Sequence, residues 1–299
     1  MLSLHTNAAA LSTQSALNST QQSLATSQAR LGTGYRINSA MDDAAGLQIA
    51  TRLGAQVSGM SVAMRNTQND TSMLQTGEGA LSEVTNILSR MKDLATQAAD
   101  ASSTAADKTA MQSEYDSLGR EMNNIMKNTN FGGQNLFLKA ADTAGAGAAS
   151  GTFGASITFQ IGASSTETMS FNGSTDLNAL DTALGTSSGQ YGTPAPATAG
   201  TELTAAGGAT TAINNLNTAI AAVGTLRSDF GAAANSLSHV YNNLQSMTNN
   251  VTAAKGRIMD VDYASESSNM TTQQMLMQSG MAMLKQSNQM SGMVMSLLQ

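Results

Sequence analysis

"DVDYASE", Asp260 to Glu266, sets three carboxylates, Asp260, Asp262 and Glu266, in a row that hints at a calcium loop. Ser265 stands where such a loop needs Gly for its sharp turn and Thr271 where it needs the bidentate Glu, so no metal site is expected. Charges that start a helix are the better account, because a helix N-terminus is partially positive and favours carboxylates. "LGTGYR" offers Gly32 and Gly34 in the manner of a phosphate-binding turn, yet it lacks the third Gly and a preceding strand. A join between helices, with Gly supplying unusual backbone angles, is expected instead. The two histidines, His5 and His239, have no HExxH frame and there is no cysteine, which excludes thiolate chemistry and disulfides. His239 is expected on the exposed edge of a helix seam. No catalytic residue and no cofactor follows from these residues.

The elements around them read as helix. Only 4% of the 299 residues are aromatic and Trp is absent, which predicts long packed helices rather than a core built on aromatic anchors. A net charge of −6 leaves no basic face to displace counterions, so nucleic acid is not expected as a partner. There is no apolar run of about 18 residues for a membrane span. The N-terminus lacks the basic and apolar regions of a secretory signal, so export would need another route.

The charge is distributed unevenly. No Asp, Glu, Lys or Arg occurs between Met1 and Ala29, and Lys285 is the sole such residue from Ser267 to Gln299, a stretch crowded with Met. Solvated surface helices normally carry charge. A helix with few strong apolar residues and no ion pairs is marginal alone in water, so the N-terminal stretch is expected to be disordered in the monomer and helical only when packed.

Heptad spacing organises the rest. Leu216, Val223, Phe230, Leu237, Leu244, Val251 and Ile258 recur every seven residues, with Ile213, Ile220, Ala234 and Tyr241 expected as the partner series, interrupted by Arg227 and Thr248. A second seam runs through Leu74, Leu81, Leu88 and Ala95, partnered by Val84, Met91 and Ala98, and the two seams should pack together. Leu17, Leu24 and Leu31 keep the same spacing, while Leu4 and Leu11 fall about a third of a turn away. "SITFQIG" and "ETMSF" alternate Ile157, Phe159, Ile161, Met169 and Phe171 and predict a β-hairpin connected through Gly162 to Thr166. From Asn172 to Gly208, where both prolines lie, the composition turns to Gly, Ala, Thr and Ser and predicts a surface loop that buries no core.

"RLGTGYRINSAMDDAAGLQIATRL", Arg30 to Leu53, closely resembles the N-terminal signature of bacterial flagellins. "NTNFGGQNLF", "TFQIGASSTET" and "GRIMDVDYASESSNMT" agree with the same family in the same order. The resemblance implies paired N- and C-terminal helices, export of the unfolded chain by the flagellar type III apparatus, and self-polymerisation into an extracellular flagellar filament for motility. It implies further partners: an export chaperone at the C-terminal helix, and junction and cap proteins. The Met-rich ends and short insertion are similar to lateral-type flagellins. A hook-filament junction protein and a secreted host-cell ligand or adhesin are the alternative readings.

The expected fold is mainly α, with long antiparallel coiled-coil helices from the two ends and a small central β-hairpin region. Residues 1–40 with 256–299 are expected to form a terminal helical core domain, 41–175 with 209–255 a helical rod domain, and 176–208 a variable insertion. Apolar residues Leu4, Leu11, Leu17, Leu24, Leu31, Met277, Leu284, Leu297 and Leu298 are expected at the filament-core interface. Arg36, Asn38, Asp42, Asp43, Arg257, Asp260 and Asp262 are expected as a subunit-contact motif, in which Arg36, Asp42 and Asp43 are expected to make interface ion pairs. "LSRMKDLATQ" resembles the family segment recognised by Toll-like receptor 5, which implicates Leu88, Arg90, Leu94 and Glu114, with helix packing as the competing role for the leucines.

Overall fold

The computed structural model describes residues 7–137, 151–192 and 198–297, with side chains described as far as residue 290. Their order is α1 (Ala8–Thr33), α2 (Ala44–Ala99), α3 (Ala105–Asn128), β1 (Asn130–Phe131), β2 (Gln134–Asn135), β3 (Ser156–Gln160), β4 (Thr168–Asn172), α4 (Ser174–Ser187), α5 (Gly208–Met259) and α6 (Tyr263–Leu297). The strands form two small antiparallel hairpins, so the fold is mainly α, as its heptads predict. Two compact units emerge, Met1–Val57 with Thr248–Gln299 and Ser58–Met247. The boundaries between these units fall inside α2 and α5, and residues 176–208 belong to the second unit.

Within Ser58–Met247, α2 buries a heptad run of Leu74, Gly77, Leu81, Val84, Leu88, Met91, Ala95 and Ala98. On α5 the buried run is Ala212, Leu216, Ala219, Val223, Leu226, Phe230, Ala233 and Leu237. The main α5 series is the expected one up to Leu244, and Val251 and Ile258 are half-buried. The partner series is different: Ala212, Ala219, Leu226 and Ala233 each lie one residue before the expected register. Ile213, Ile220 and Ala234 flank the core as partly buried side chains. Small alanines at the contact permit close helix approach, which larger Ile would oppose.

At one level the core is aromatic. Phe153 lies 4.6 Å from Phe230 and 5.5 Å from Phe137 between ring centroids, and Phe171 lies 5.6 Å from Phe230. These rings come from four segments, and α2 meets them with Gly77. A Cβ there would stand 2.9 Å from both Phe153 Cε2 and Phe230 Cε2, so the glycine makes room for the rings. The β3–β4 hairpin supplies Phe171 and buried Phe159 to this core, in the register Phe159 opposite Met169 and Ile157 opposite Phe171.

The expectation of a coreless loop from Asn172 to Gly208 is overturned. Residues 174–187 form α4, whose Leu177, Leu180 and Leu184 are buried in the main core at helical spacing. The following chain is fastened to α3 by polar groups. Gln112 donates through Nε2 to Asp116 Oδ1 and Glu202 Oε2, each at 2.7 Å, and its Oε1 accepts from the Leu203 N–H at 2.7 Å. Asp116 also accepts from the Gly200 N–H at 3.0 Å, and Glu202 from the Gly189 N–H at 2.6 Å. Buried amides and carboxylates therefore stay hydrogen-bonded, which offsets their desolvation. A Thr104–Asp107 capping box starts α3 itself.

Two predictions test this core. Leu180→Ala should destabilise the second unit by about 2–5 kcal/mol in chemical denaturation, a change that a surface loop would not show. Asp70 sits at the heptad station between buried Thr67 and Leu74, and desolvation raises its carboxyl to about 6. A folded pKa above the unfolded value makes the ionised carboxylate unfavourable, so this penalty is full above about pH 6 and fades toward pH 4. Asp70→Asn should raise the melting temperature at neutral pH and flatten its pH dependence across that window; an unchanged profile would contradict the assignment.

Candidate assembly interface

In the unit formed by the two ends, α1 pairs with α6 in antiparallel fashion. Asn7 caps α1 by accepting from the Ala10 N–H at 3.1 Å, and its Nδ2 donates to the Ser287 carbonyl at 3.3 Å. At the other end Arg30 meets Glu266 at 3.8 Å. Between these points the α1 face carries Thr13, Leu17, Thr20, Leu24, Ser27 and Leu31, and the α6 face carries Met270, Gln273, Met277, Gly280 and Leu284; all are half-buried or buried. Both sets follow alternating steps of three and four residues. Small and neutral residues alternate with Leu and Met, which lets the helices approach without burying charge. A Cβ on Gly280 would rest 3.4 Å from Leu17 Cδ1.

A backbone clasp links the two ends beside this pair. Tyr35 and Asp260 form an antiparallel bridge, the Arg36 N–H donates to the Met259 carbonyl at 2.6 Å, and the Val261 N–H donates to the Gly34 carbonyl at 3.0 Å. Gly34 ends α1 in the left-handed region at φ 76°, which favours glycine, and its missing Cβ leaves space for the Tyr263 hydroxyl. Gly32, by contrast, lies inside α1.

The charged motif serves this clasp locally. Arg36 Nη2 donates to the Ile258 carbonyl at 2.9 Å. Asp42 accepts from the backbone N–H groups of Ser39 and Asn38 at 2.9 and 3.1 Å, with the Ser39 bond leading, and they hold its carboxyl below the usual range. Asn38 Nδ2 closes the same turn on the Tyr35 carbonyl. Asp43 caps α2 by accepting from the Gly46 N–H at 2.8 Å, over buried Ile37. Asp262 caps α6 through the Ser265 hydroxyl at 2.8 Å and the Ala264 N–H at 3.0 Å, and the hydroxyl leads in lowering its pKa. Within the described chain, then, Arg36, Asp42, Asp43 and Asp262 satisfy backbone and hydroxyl groups. Arg257 and Asp260 are exposed. Asp262 is a cap, Glu266 faces Arg30, and among the described residues no cluster of three metal-ligating side chains occurs.

The expected interface residues divide into two groups. Leu17, Leu24, Leu31, Met277 and Leu284 line the chain's own α1–α6 seam, whereas Leu11 points outward and is 62% exposed. Leu4 and Leu298 lie outside the described residues, as does the Leu297 side chain. Sequence reading missed a second heptad stripe on α6, Leu276, Met283 and Met290, all exposed; Met275 and Met281 are exposed on the same helix outside that stripe. Its seven-residue spacing was visible, but the density of Met in this stretch hid which residues faced α1.

The four receptor candidates also separate. Leu88 and Leu94 are fully or nearly fully buried in the second unit, where they pack in its core. Arg90 and Glu114 remain exposed and pair with each other, Nη2 to Oε1 at 2.7 Å and Nε to Oε1 at 2.9 Å. His239 is exposed on α5, as expected.

The terminal helices thus pair along a neutral seam and leave an apolar stripe uncovered on one of them. The chain matches the family described as bacterial flagellin N-terminal helical region over residues 4–142 and that described as bacterial flagellin C-terminal helical region over 213–298. It belongs to the bacterial flagellins. Polar flagellin F of Vibrio parahaemolyticus is 40% identical over 166 residues, 56% of this chain and 41% of that protein. B-type flagellin of Pseudomonas aeruginosa is 38% identical over 168 residues, covering 56% and 32% of the two chains. The matches thus span under half the length of these relatives. A solved structure from Vibrio parahaemolyticus, described as a flagellar hook-associated protein, shares the fold at TM-score 0.54 and 20% identity, covering 73% of this chain and 100% of that one.

Asp43→Ala and Asp262→Ala should each cost the terminal unit about 0.5–2 kcal/mol, while the Asn variants keep most of the capping. Hydrogen exchange should accelerate at amides 44–47 and 263–266 respectively. Unchanged exchange at those amides would contradict the capping role.

Proposed function

We propose that this protein is a structural subunit that polymerises with copies of itself into the extracellular flagellar filament used for motility. The observation that carries this reading is the α6 stripe of Leu276, Met283 and Met290, exposed on a helix whose other face is already occupied by α1. A second apolar seam on an already paired helix fits a bundle of more than two helices, as neighbouring subunits would supply. Neutral ends suit it, because a charge buried in such a bundle would recur in every copy and each would carry a desolvation cost of several kcal/mol. Family membership supports the same role, together with export of the unfolded chain by the type III apparatus, a chaperone holding the C-terminal helix, and contacts with junction and cap proteins. Residues 1–40 with 256–299 would form the terminal domain, disordered in the monomer, with Arg36, Asn38, Asp42, Asp43, Arg257, Asp260 and Asp262 at its edge. For the receptor reading, Arg90 and Glu114 are the accessible pair through which Toll-like receptor 5 would bind.

The experiment compares the full chain, a copy lacking residues 1–29, and Leu24→Glu in precipitating salt by electron microscopy. Long tubular filaments are expected from the full chain only, with the melting of the Ser58–Met247 unit unchanged in Leu24→Glu. Filaments from Leu24→Glu at normal yield would sink the role given to the neutral seam. If the intact chain forms none, a hook-filament junction role becomes the better reading.

A further inference from the structure

The chain has 20 methionines and no cysteine, so methionine is its entire complement of sulfur. The structure divides these thioethers sharply. Met60, Met91 and Met122 are almost completely buried, and Met111 and Met126 nearly so. On α6, Met270 and Met277 are half-buried against α1, whereas Met275, Met281, Met283 and Met290 are between 48% and 63% exposed. Two of them, Met283 and Met290, continue the stripe that Leu276 begins, and Leu276 shows that the stripe accepts a branched aliphatic side chain. A thioether adds one property that Leu lacks, since it can be oxidised reversibly to a polar sulfoxide.

We propose that Met275, Met281, Met283 and Met290 form a methionine-oxidation site that gates self-association, an inference resting on the assembly role above. The oxidant is a peroxide. A sulfur lone pair attacks one peroxide oxygen, the S–O bond forms as the O–O bond breaks, and sulfur loses two electrons. The departing hydroxide takes up the proton left on the transferred oxygen, so water is released. Reversal uses a dithiol, through a methionine sulfoxide reductase: the dithiol becomes a disulfide, and the sulfoxide oxygen leaves as water. A sulfoxide on the stripe places an S–O dipole where a neighbouring helix would bury an apolar surface, and an unmatched buried dipole opposes that contact. The modification acts on the unassembled chain, because packing against another copy would cover the same sulfurs.

The test treats full-length chain with dilute hydrogen peroxide, maps sulfoxides by peptide mass spectrometry, and measures filament yield by sedimentation and electron microscopy. Met275, Met281, Met283 and Met290 should oxidise well before Met91 and Met122, yield should fall several-fold, and reductase with dithiothreitol should restore it. In a variant carrying M275L, M281L, M283L and M290L, filament yield after peroxide should match that variant's own untreated yield, while exposed Met41 still becomes oxidised. Pre-formed filaments should resist oxidation at Met283 and Met290. Normal assembly by oxidised wild type, equal sensitivity of the leucine variant, or equally fast oxidation of Met91 would overturn the gate while leaving the assembly role standing. Untreated wild type that forms no filaments would sink the assembly role, and the gate with it.

Discussion

The constraint on which the structure depends is that its two ends must form one helix pair while burying little charge, and the buried Glu266 is met by Arg30. Leu17, Leu24, Met270, Met277 and Leu284 supply the apolar contacts, and Thr13, Thr20, Ser27, Gln273 and Gly280 fill the alternate positions with groups that neither repel nor demand a counterion. A fully buried Leu or Met contributes about 1.5–3 kcal/mol, and most of these are only half-buried, so the pair is modest in its own right. Its register is therefore pinned at the edges, by Asn7 on Ser287 at one end and Arg30 on Glu266 at the other. The backbone clasp from Gly34 to Val261 adds a third fixed point.

The two units answer opposite demands. Residues 58–247 surround a close-packed aromatic and aliphatic core in which Gly77 makes way for Phe153 and Phe230. Cores of that density resist local opening. The terminal unit keeps few buried apolar side chains, and many of its exposed ones lie on α6. An element with this balance gives up little by remaining unpaired and gains much from a new neighbour, which suits a part that completes its packing on association.

Much of the fold was legible because heptads announce themselves. The α2 seam was readable to the residue, and the β3–β4 hairpin followed from alternation and a Gly/Ser connector. The α5 partner series was misread because Ile213 and Ile220 outrank Ala212 and Ala219 in hydrophobicity, whereas a tight helix contact favours the smaller side chain. The α4 helix escaped notice because Leu177, Leu180 and Leu184 are separated by Ala, Thr, Asp and Asn within a stretch rich in loop-forming residues. For the candidate site, residue types could show that Arg36 and the aspartates mattered but not whom they would meet. Arg36 finds its acceptor on Ile258, 222 residues away, and no local pattern encodes such a partner.

The span between Asn7 and Ser287 also governs timing. These residues are 280 positions apart, so α1 has no such partner until 280 further residues have been made. Contacts of such sequence separation close late, because the entropy of the intervening loop must be overcome before they form. The second unit is less demanding, though Gln112 must still wait for Glu202, 90 residues on. A ribosome therefore releases α1 long before α6 is available. The order of synthesis itself keeps that helix unpaired.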